Sequence, residues 1–263
     1  MLFKLIKHDF KNIFKDYALL YIIMIVFSIA APLLMNWSTN SLFWGITNLI
    51  LLFLIIGSSI MVLVNTVSFI KRRMFSDSAY LNYTLPVSMS QTLISKIFVS
   101  ISMILLTGLL SVVALIIFAY MFSLTDPSTF AFLNEIAKRV MQFLQEGGTM
   151  YVVQLIISYF IEMVPTILTL ILSFTLVNTS FFKKKSNVYV LLIFLLISFV
   201  LSFSSTMFMH VIGIEMISMD GTVTAILNQN YQLNFIVMNV YQLVVSGILF
   251  FTTTYILNNY LEI

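Results

Sequence analysis

Polar and apolar positions along this chain fall into long blocks rather than short alternations. Strongly apolar runs occupy residues 17–35, 42–70, 97–124, 150–182, 188–211 and 233–257, separated by short segments that hold nearly all of the charge. A bilayer core of roughly 30 Å needs about 20 apolar residues per helix. Each run meets or closely approaches that length, whereas barrel strands would read as alternating segments of about 10 residues. The pattern predicts an all-α polytopic membrane protein with six transmembrane helices, a single transmembrane domain over residues 1–263 with no linker-like break.

Two further segments have helical period but a polar side. In "MLFKLIKHDFKNIFKDY" the apolar residues Phe3, Ile6, Phe10, Ile13 and Tyr17 recur every three or four positions, with Lys4, Lys7, Lys11 and Lys15 on the other side. This predicts an N-terminal interfacial elbow helix over 1–16, its lysines toward anionic headgroups. The plainer alternative is a basic tail that fixes topology. Residues 126–148 repeat the pattern through Phe130, Leu133, Ile136, Val140 and Phe143 or Leu144. Asp126 can cap that helix, Pro127 suits its first turn, Gly147 offers a stop, and Glu135 can pair with Arg139. It could lie on the outer leaflet, on its own span tips or against a partner.

Charge then gives sidedness. The 263 residues are 60% hydrophobic and 9% charged, with a mean hydropathy of +1.06, against about 25% charged for a soluble chain. With the N-terminus inside, 11 of the 13 Lys and Arg face the cytoplasm and only Lys138 and Arg139 face out. The positive-inside rule therefore puts both termini of this multi-pass membrane protein in the cytoplasm. The first apolar run starts only at Tyr17 and lacks an A-x-A-like exit, so it is expected to stay as a span.

Candidate chemistry is sparse. Cysteine is absent, which excludes disulfides and thiolate metal sites. No G-x-x-x-x-G-K-[ST] loop and no H-E-x-x-H pair occur, and His8 and His210 belong to opposite faces of the predicted topology. An enzyme is not expected, and no cofactor is expected in this chain. One ionisable residue, Glu162, falls well inside an apolar run, with Pro165 close behind. Such a carboxylate costs about 2.5–3.5 kcal/mol on insertion scales, so it should face protein or water. It reads as a polar feature of a translocation path or a hinge, or as a group nearer the outer interface or simply protonated. The 16 Met and 25 Phe read chiefly as packing and lipid contact, a Met-rich binding wall being the alternative.

The most structured polar segment is "RRMFSDSAYLNYTLPVS" between the second and third spans, inside the cytoplasmic loop 71–96. Three cations close the second span. Ser76 or Asp77 can cap a short helix bearing Tyr80, Leu81 and Tyr83. Pro86 stops that helix, and Ser88 with Gln91 forms a capping box that launches the next span. A short helix with exposed aromatics suits protein docking; lying flat on lipid is the alternative.

"FSDSAYLNYTLPVSMSQTLISK" also resembles the loop between spans two and three in ABC-2-type transporter permeases of low-GC Gram-positive bacteria. That loop has the form F-x-[DE]-x-x-Y-L-x-x-T-L-P-[VT]-S followed by S-K. It is matched here by Phe75, Asp77, Tyr80, Leu81, Thr84, Leu85, Pro86, Val87, Ser88 and Ser95-Lys96, while Ser78 stands where an acid is common. "LIKHDFK" similarly resembles the family's L-x-K-x-[ED]-F-K opening.

The resemblance implies the transmembrane half of an exporter. A cytoplasmic ABC ATPase dimer would carry ATP and Mg, and a second permease subunit, identical or sister, would complete the pair. Phe75, Asp77, Tyr80, Leu81, Tyr83 and Pro86 would then form the ATPase-coupling element. The pathway would be lined by span two (Asn48, Ser58, Ser59, Asn65, Thr66) and span five (Ser202, Ser204, Ser205, Thr206, Met207, Met209), with Glu162 as a further candidate. Segment 212–232 would form the external hairpin. The expected partners are the lipid bilayer and an amphipathic cargo (peptide, lipid-like molecule or drug), with no nucleic acid. A non-transporting scaffold or sensor, binding a cytoplasmic protein through the same loop, is the second reading.

Overall fold

The computed structural model describes residues 2–37, 41–75, 88–124, 127–179, 186–212 and 229–260, apart from the side chains of 34–37, 41–48, 50–55, 127–129 and 229–232. The chain is helical nearly throughout. In order come α1 (Leu2–Trp37), α2 (Ser41–Met74), α3 (Met89–Ser123), α4 (Pro127–Phe143), a π-helical turn (Leu144–Gly148), α5 (Thr149–Val177), α6 (Asn187–Ile212) and α7 (Gln229–Asn259). Among the described residues, five stretches are long and apolar enough to cross a membrane, carried by α1, α3, α4–α5, α6 and α7. The chain is a multi-pass helical membrane protein. Helix α2 occupies the expected second span, and many of its side chains fall outside the described residues.

Three element boundaries differ from the sequence reading. The expected elbow 1–16 and first span 17–35 form one uninterrupted helix, α1. Residues 2–31 contain neither Gly nor Pro, so nothing in the backbone forces a break between Asp16 and Tyr17. The third span begins at Met89, well before the expected 97, because the cap is Ser88: its Oγ accepts the Gln91 amide at 3.4 Å and its carbonyl accepts the Thr92 amide at 3.1 Å. The amphipathic segment 126–148 does not end in a loop. Helix α4 runs through the π-helical turn to α5 across a kink at Gly147, whose φ of +100° breaks the helical geometry at the expected stop. Arg139 pairs with Glu135 at 2.6 Å as expected, while Phe130, Ile136 and Val140 are exposed. Of the external segment 212–232, residues 213–228 lie outside the described residues, as does Asp126.

The chain divides into two compact units that interleave along the sequence: Met1–Phe69 with Phe98–Gln142, and Ile70–Ile97 with Phe143–Ile263. The sequence gives no sign of this division because α2 and α3 contribute residues to both units.

In the first unit, α1 buries Asp9, Ile13, Tyr17, Tyr21, Met24, Ser28 and Ala31, a stripe at helical period, whereas Phe3 is exposed. The lipid-like environment gives little hydrophobic drive between helices, so close packing and interhelical hydrogen bonds carry the association. Two tyrosines supply such bonds. Tyr17 donates to the Val62 carbonyl on α2 at 3.2 Å. Tyr21 lies 2.7 Å from Thr107 Oγ1 on α3. Thr107 spends its own hydrogen on the Met103 carbonyl, so Tyr21 is the donor.

In the second unit α5 is central, packing chiefly on α7 and next on α6. Its latter half is buried nearly all round, through Ile167, Leu168, Ile171, Leu172, Phe174 and Val177. The buried hydroxyls of Thr169, Ser173 and Thr175 donate to carbonyls one turn back on the same helix, at 2.7–2.8 Å, so none is stranded in the apolar interior. Helix α7 answers with Ser246, Leu249, Thr253 and Leu257 on one buried face. Lys96, fully buried in this unit, is engaged rather than free, as burial of a lysine requires.

Candidate functional site: a polar cleft between three apolar helices

Half-way along α5, α6 and α7 the apolar surface is interrupted by a cleft of about 220 Å³. Glu162, Pro165, Thr166 and Thr169 of α5 form one wall, Ser198, Leu201, Ser202 and Ser205 of α6 a second, and Tyr241, Gln242 and Val245 of α7 the third. At 1.5 Å per residue, Glu162 stands roughly 20 Å from either end of α5. The carboxylate therefore sits mid-helix.

Local chemistry orients the walls. Pro165 has no amide hydrogen, so the Ile161 carbonyl receives no helical bond from it. Thr166 donates to the Glu162 carbonyl at 2.9 Å, Thr169 to the Pro165 carbonyl at 2.7 Å, and Ser205 to the Ser202 carbonyl at 2.8 Å. Tyr241 is fixed at both ends. Its ring stacks on Phe208, with centroids 4.8 Å apart, and its hydroxyl lies 2.5 Å from Ser204 Oγ. Ser204 already donates to the Leu201 carbonyl at 2.9 Å, so Tyr241 is the donor in that pair. With these four hydroxyl hydrogens committed, Thr166, Thr169, Ser205 and Tyr241 offer the cleft lone pairs beside the carboxylate, while Ser198, Ser202 and the Gln242 amide complete its polar lining. Among the described residues no Lys, Arg or His lines it. The arrangement suits holding a hydrogen-bond donor or a cation. Among the described residues no group of three or more His, Cys, Asp or Glu side chains could hold a metal ion.

The expected pathway residues separate. Glu162, Ser202 and Ser205 meet in the cleft, and Thr206 is exposed beside them, donating to the Ser202 carbonyl at 3.0 Å. Ser204 acts behind the wall, through Tyr241. Ser58 and Thr66 are buried, Asn65 is half-buried and Ser59 exposed, all in the first unit. Asn48 is in α2, its side chain outside the described residues. Thr166, Thr169, Ser198, Tyr241 and Gln242 are cleft residues that the sequence reading missed.

Of the coupling residues, Asp77, Tyr80, Leu81, Tyr83 and Pro86 lie outside the described residues. Phe75 is described. It is half-buried, its amide closes a turn on the Lys71 carbonyl at 2.9 Å, and its ring stacks on Phe174 of α5 at 5.6 Å and 17°. Lys71 Nζ donates to Asn187 Oδ1 at 3.0 Å. The end of α2, the end of α5 and the start of α6 thus meet at one end of the second unit. Phe174 lies roughly 18 Å along α5 from Glu162, on the same unbroken helix.

The chain matches no family model, no curated protein and no solved structure.

Proposed function

We propose that this chain is the permease subunit of an ATP-driven exporter of the ABC-2 type, moving an amphipathic cargo outward and energised by a separate ATPase on the 71–96 loop. The observation that carries the reading is the carboxylate-bearing polar cleft half-way along three apolar helices. A plain scaffold has no use for such a hollow, and insertion of its carboxylate is costly. A second feature supports the coupling. Both flanks of the loop, Phe75 and Ser88, belong to the unit that contains the cleft, and Phe75 stacks on the helix that bears Glu162. A push on the loop would reach the cleft through α5 as a rigid lever. The family resemblance of Phe75–Lys96 and of the N-terminal opening supplies the rest: a paired permease, an ATPase dimer carrying ATP and Mg, and six spans with cytoplasmic termini. Under this reading the lysines of α1 lie in the headgroup layer.

The test is recruitment. Affinity purification of the chain from its own membranes should recover a Walker-motif ATPase in about equal amount. Tyr80→Ala combined with Leu81→Ala should reduce that recovery at least about tenfold, the loss of 1.4 kcal/mol or more expected when interface anchors are truncated. Absence of an ATPase from the wild-type preparation would overturn the proposal.

A further inference from the structure

We propose that the cleft between α5, α6 and α7 is a binding site for a protonated amine or guanidinium head, with Glu162 as its counter-ion. Three observations point to this ligand chemistry. The first is charge: among the described residues, Glu162 is the sole ionisable side chain other than Tyr241 lining the cleft. The second is hydrogen-bond polarity. The hydrogens of Thr166, Thr169 and Ser205 go to helix carbonyls and that of Tyr241 goes to Ser204, so these four groups present acceptors, beside Ser198, Ser202 and a Gln242 amide that can turn its oxygen to a cation. An anion would meet lone pairs and a carboxylate, whereas an N–H-bearing cation finds complementary groups.

The third observation is size. The cleft holds about 220 Å³, several times the roughly 30 Å³ of one water, which is ample for an organic head with its first methylenes against Pro165, Leu201 and Val245. One carboxylate among neutral oxygens is a poor cage for a divalent ion, which draws on several charged oxygen ligands.

As a binding site this stands without the exporter reading; that the bound cation is the head of the transported cargo rests on that reading. Binding is therefore measured with no ATPase present. The chain is placed in phosphatidylcholine nanodiscs, with empty nanodiscs as the baseline, and titrated with dansylcadaverine, a fluorescent primary amine. Saturable binding is expected, displaced by hexylamine in its protonated form but not by hexanol, and insensitive to exchange of sodium chloride for choline chloride. Glu162→Gln should weaken the probe roughly ten- to a hundredfold, the range for losing a charge-assisted hydrogen bond. Ser202→Leu, which fills the cleft and leaves the carboxylate, should abolish binding. Equal displacement by hexanol, displacement by sodium, or unchanged affinity in folded Glu162→Gln would each overturn the proposal. The hexylamine–hexanol contrast decides the matter on the unaltered chain even where a variant fails to fold. Loss of ATPase recruitment with binding intact would count against the exporter reading alone.

Discussion

Phe174→Ala is expected to destabilise the second unit by about 3–5 kcal/mol, the usual cost of emptying a buried phenylalanine site. Phe174 is 3% exposed in the most completely buried part of α5 and carries the stacked ring of Phe75. In a membrane protein the transfer part of this cost shrinks, because lipid is as apolar as the core, but the lost packing contacts remain. Phe174→Leu, closer in volume, should cost much less. Thermal unfolding in nanodiscs measures both. The stack itself can be isolated by a double-mutant cycle with Phe75→Ala, where a coupling of about 0.5–1.5 kcal/mol is expected for an aromatic pair. The functional consequence is separable from stability. Phe75→Ala leaves the cleft 18 Å away on the roughly 1.5 Å per residue scale, so cation binding should persist while transmission from the loop is lost.

Gly148→Ala should break the junction between α4 and α5. A Cβ at Gly148 would lie 2.6 Å from the Phe143 carbonyl oxygen and against the Phe143 ring. The ring could rotate away, but the carbonyl belongs to the helix backbone and cannot yield without reopening the turn. Overpacking of this kind costs about 1–3 kcal/mol. The neighbouring Gly147 has φ +100°, with open space around its Cβ position. Gly147→Ala is therefore strained by conformation alone, at about 1–3 kcal/mol. The two glycines fail for different reasons, and a second substitution separates them. Phe143→Ala should partly restore Gly148→Ala by removing the ring contact and should do nothing for Gly147→Ala. Hydrogen exchange over 143–149 with thermal unfolding gives both readouts.

The features legible in the sequence were those fixed by local chemistry. Ser88 was readable as a cap because a serine three residues before Gln91, just after Pro86, leaves few other roles. The Glu135–Arg139 pair follows from helical spacing alone, and Glu162 stood out because no other Asp, Glu, Lys or Arg lies deep within an apolar run. What could not be read was which helix faces which. In a soluble helix the apolar stripe identifies the buried face, but here lipid and protein interior are equally apolar, so periodicity gives an angle without naming the neighbour. Phe3 and Ile13 share the apolar side of the expected interfacial helix, yet Phe3 is exposed whereas Ile13 is buried together with Asp9. Tyr241 and Gln242 belong to no motif in the sequence. They joined the site only because α7 packs on α5. Thr166 and Thr169 went unnoticed for a related reason: threonines that bond their own helix are ordinary in membrane spans, and only the fold turns their oxygens toward Glu162. The family resemblance pointed to the serines of the fifth span, two of which line the cleft, and to polar residues of the second span, which belong to the other unit.

The most direct test of the account is ATP-driven movement of a cation through this chain. Inside-out vesicles carrying the chain and its co-purifying ATPase should accumulate dansylcadaverine when ATP and Mg are added. Accumulation should vanish with Tyr80→Ala and Leu81→Ala, although equilibrium binding of the probe in the cleft stays at the wild-type level. Accumulation that needs no ATP, or that continues undiminished in the doubly substituted loop, would contradict the claim that energy supplied at residues 71–96 works the cleft at Glu162.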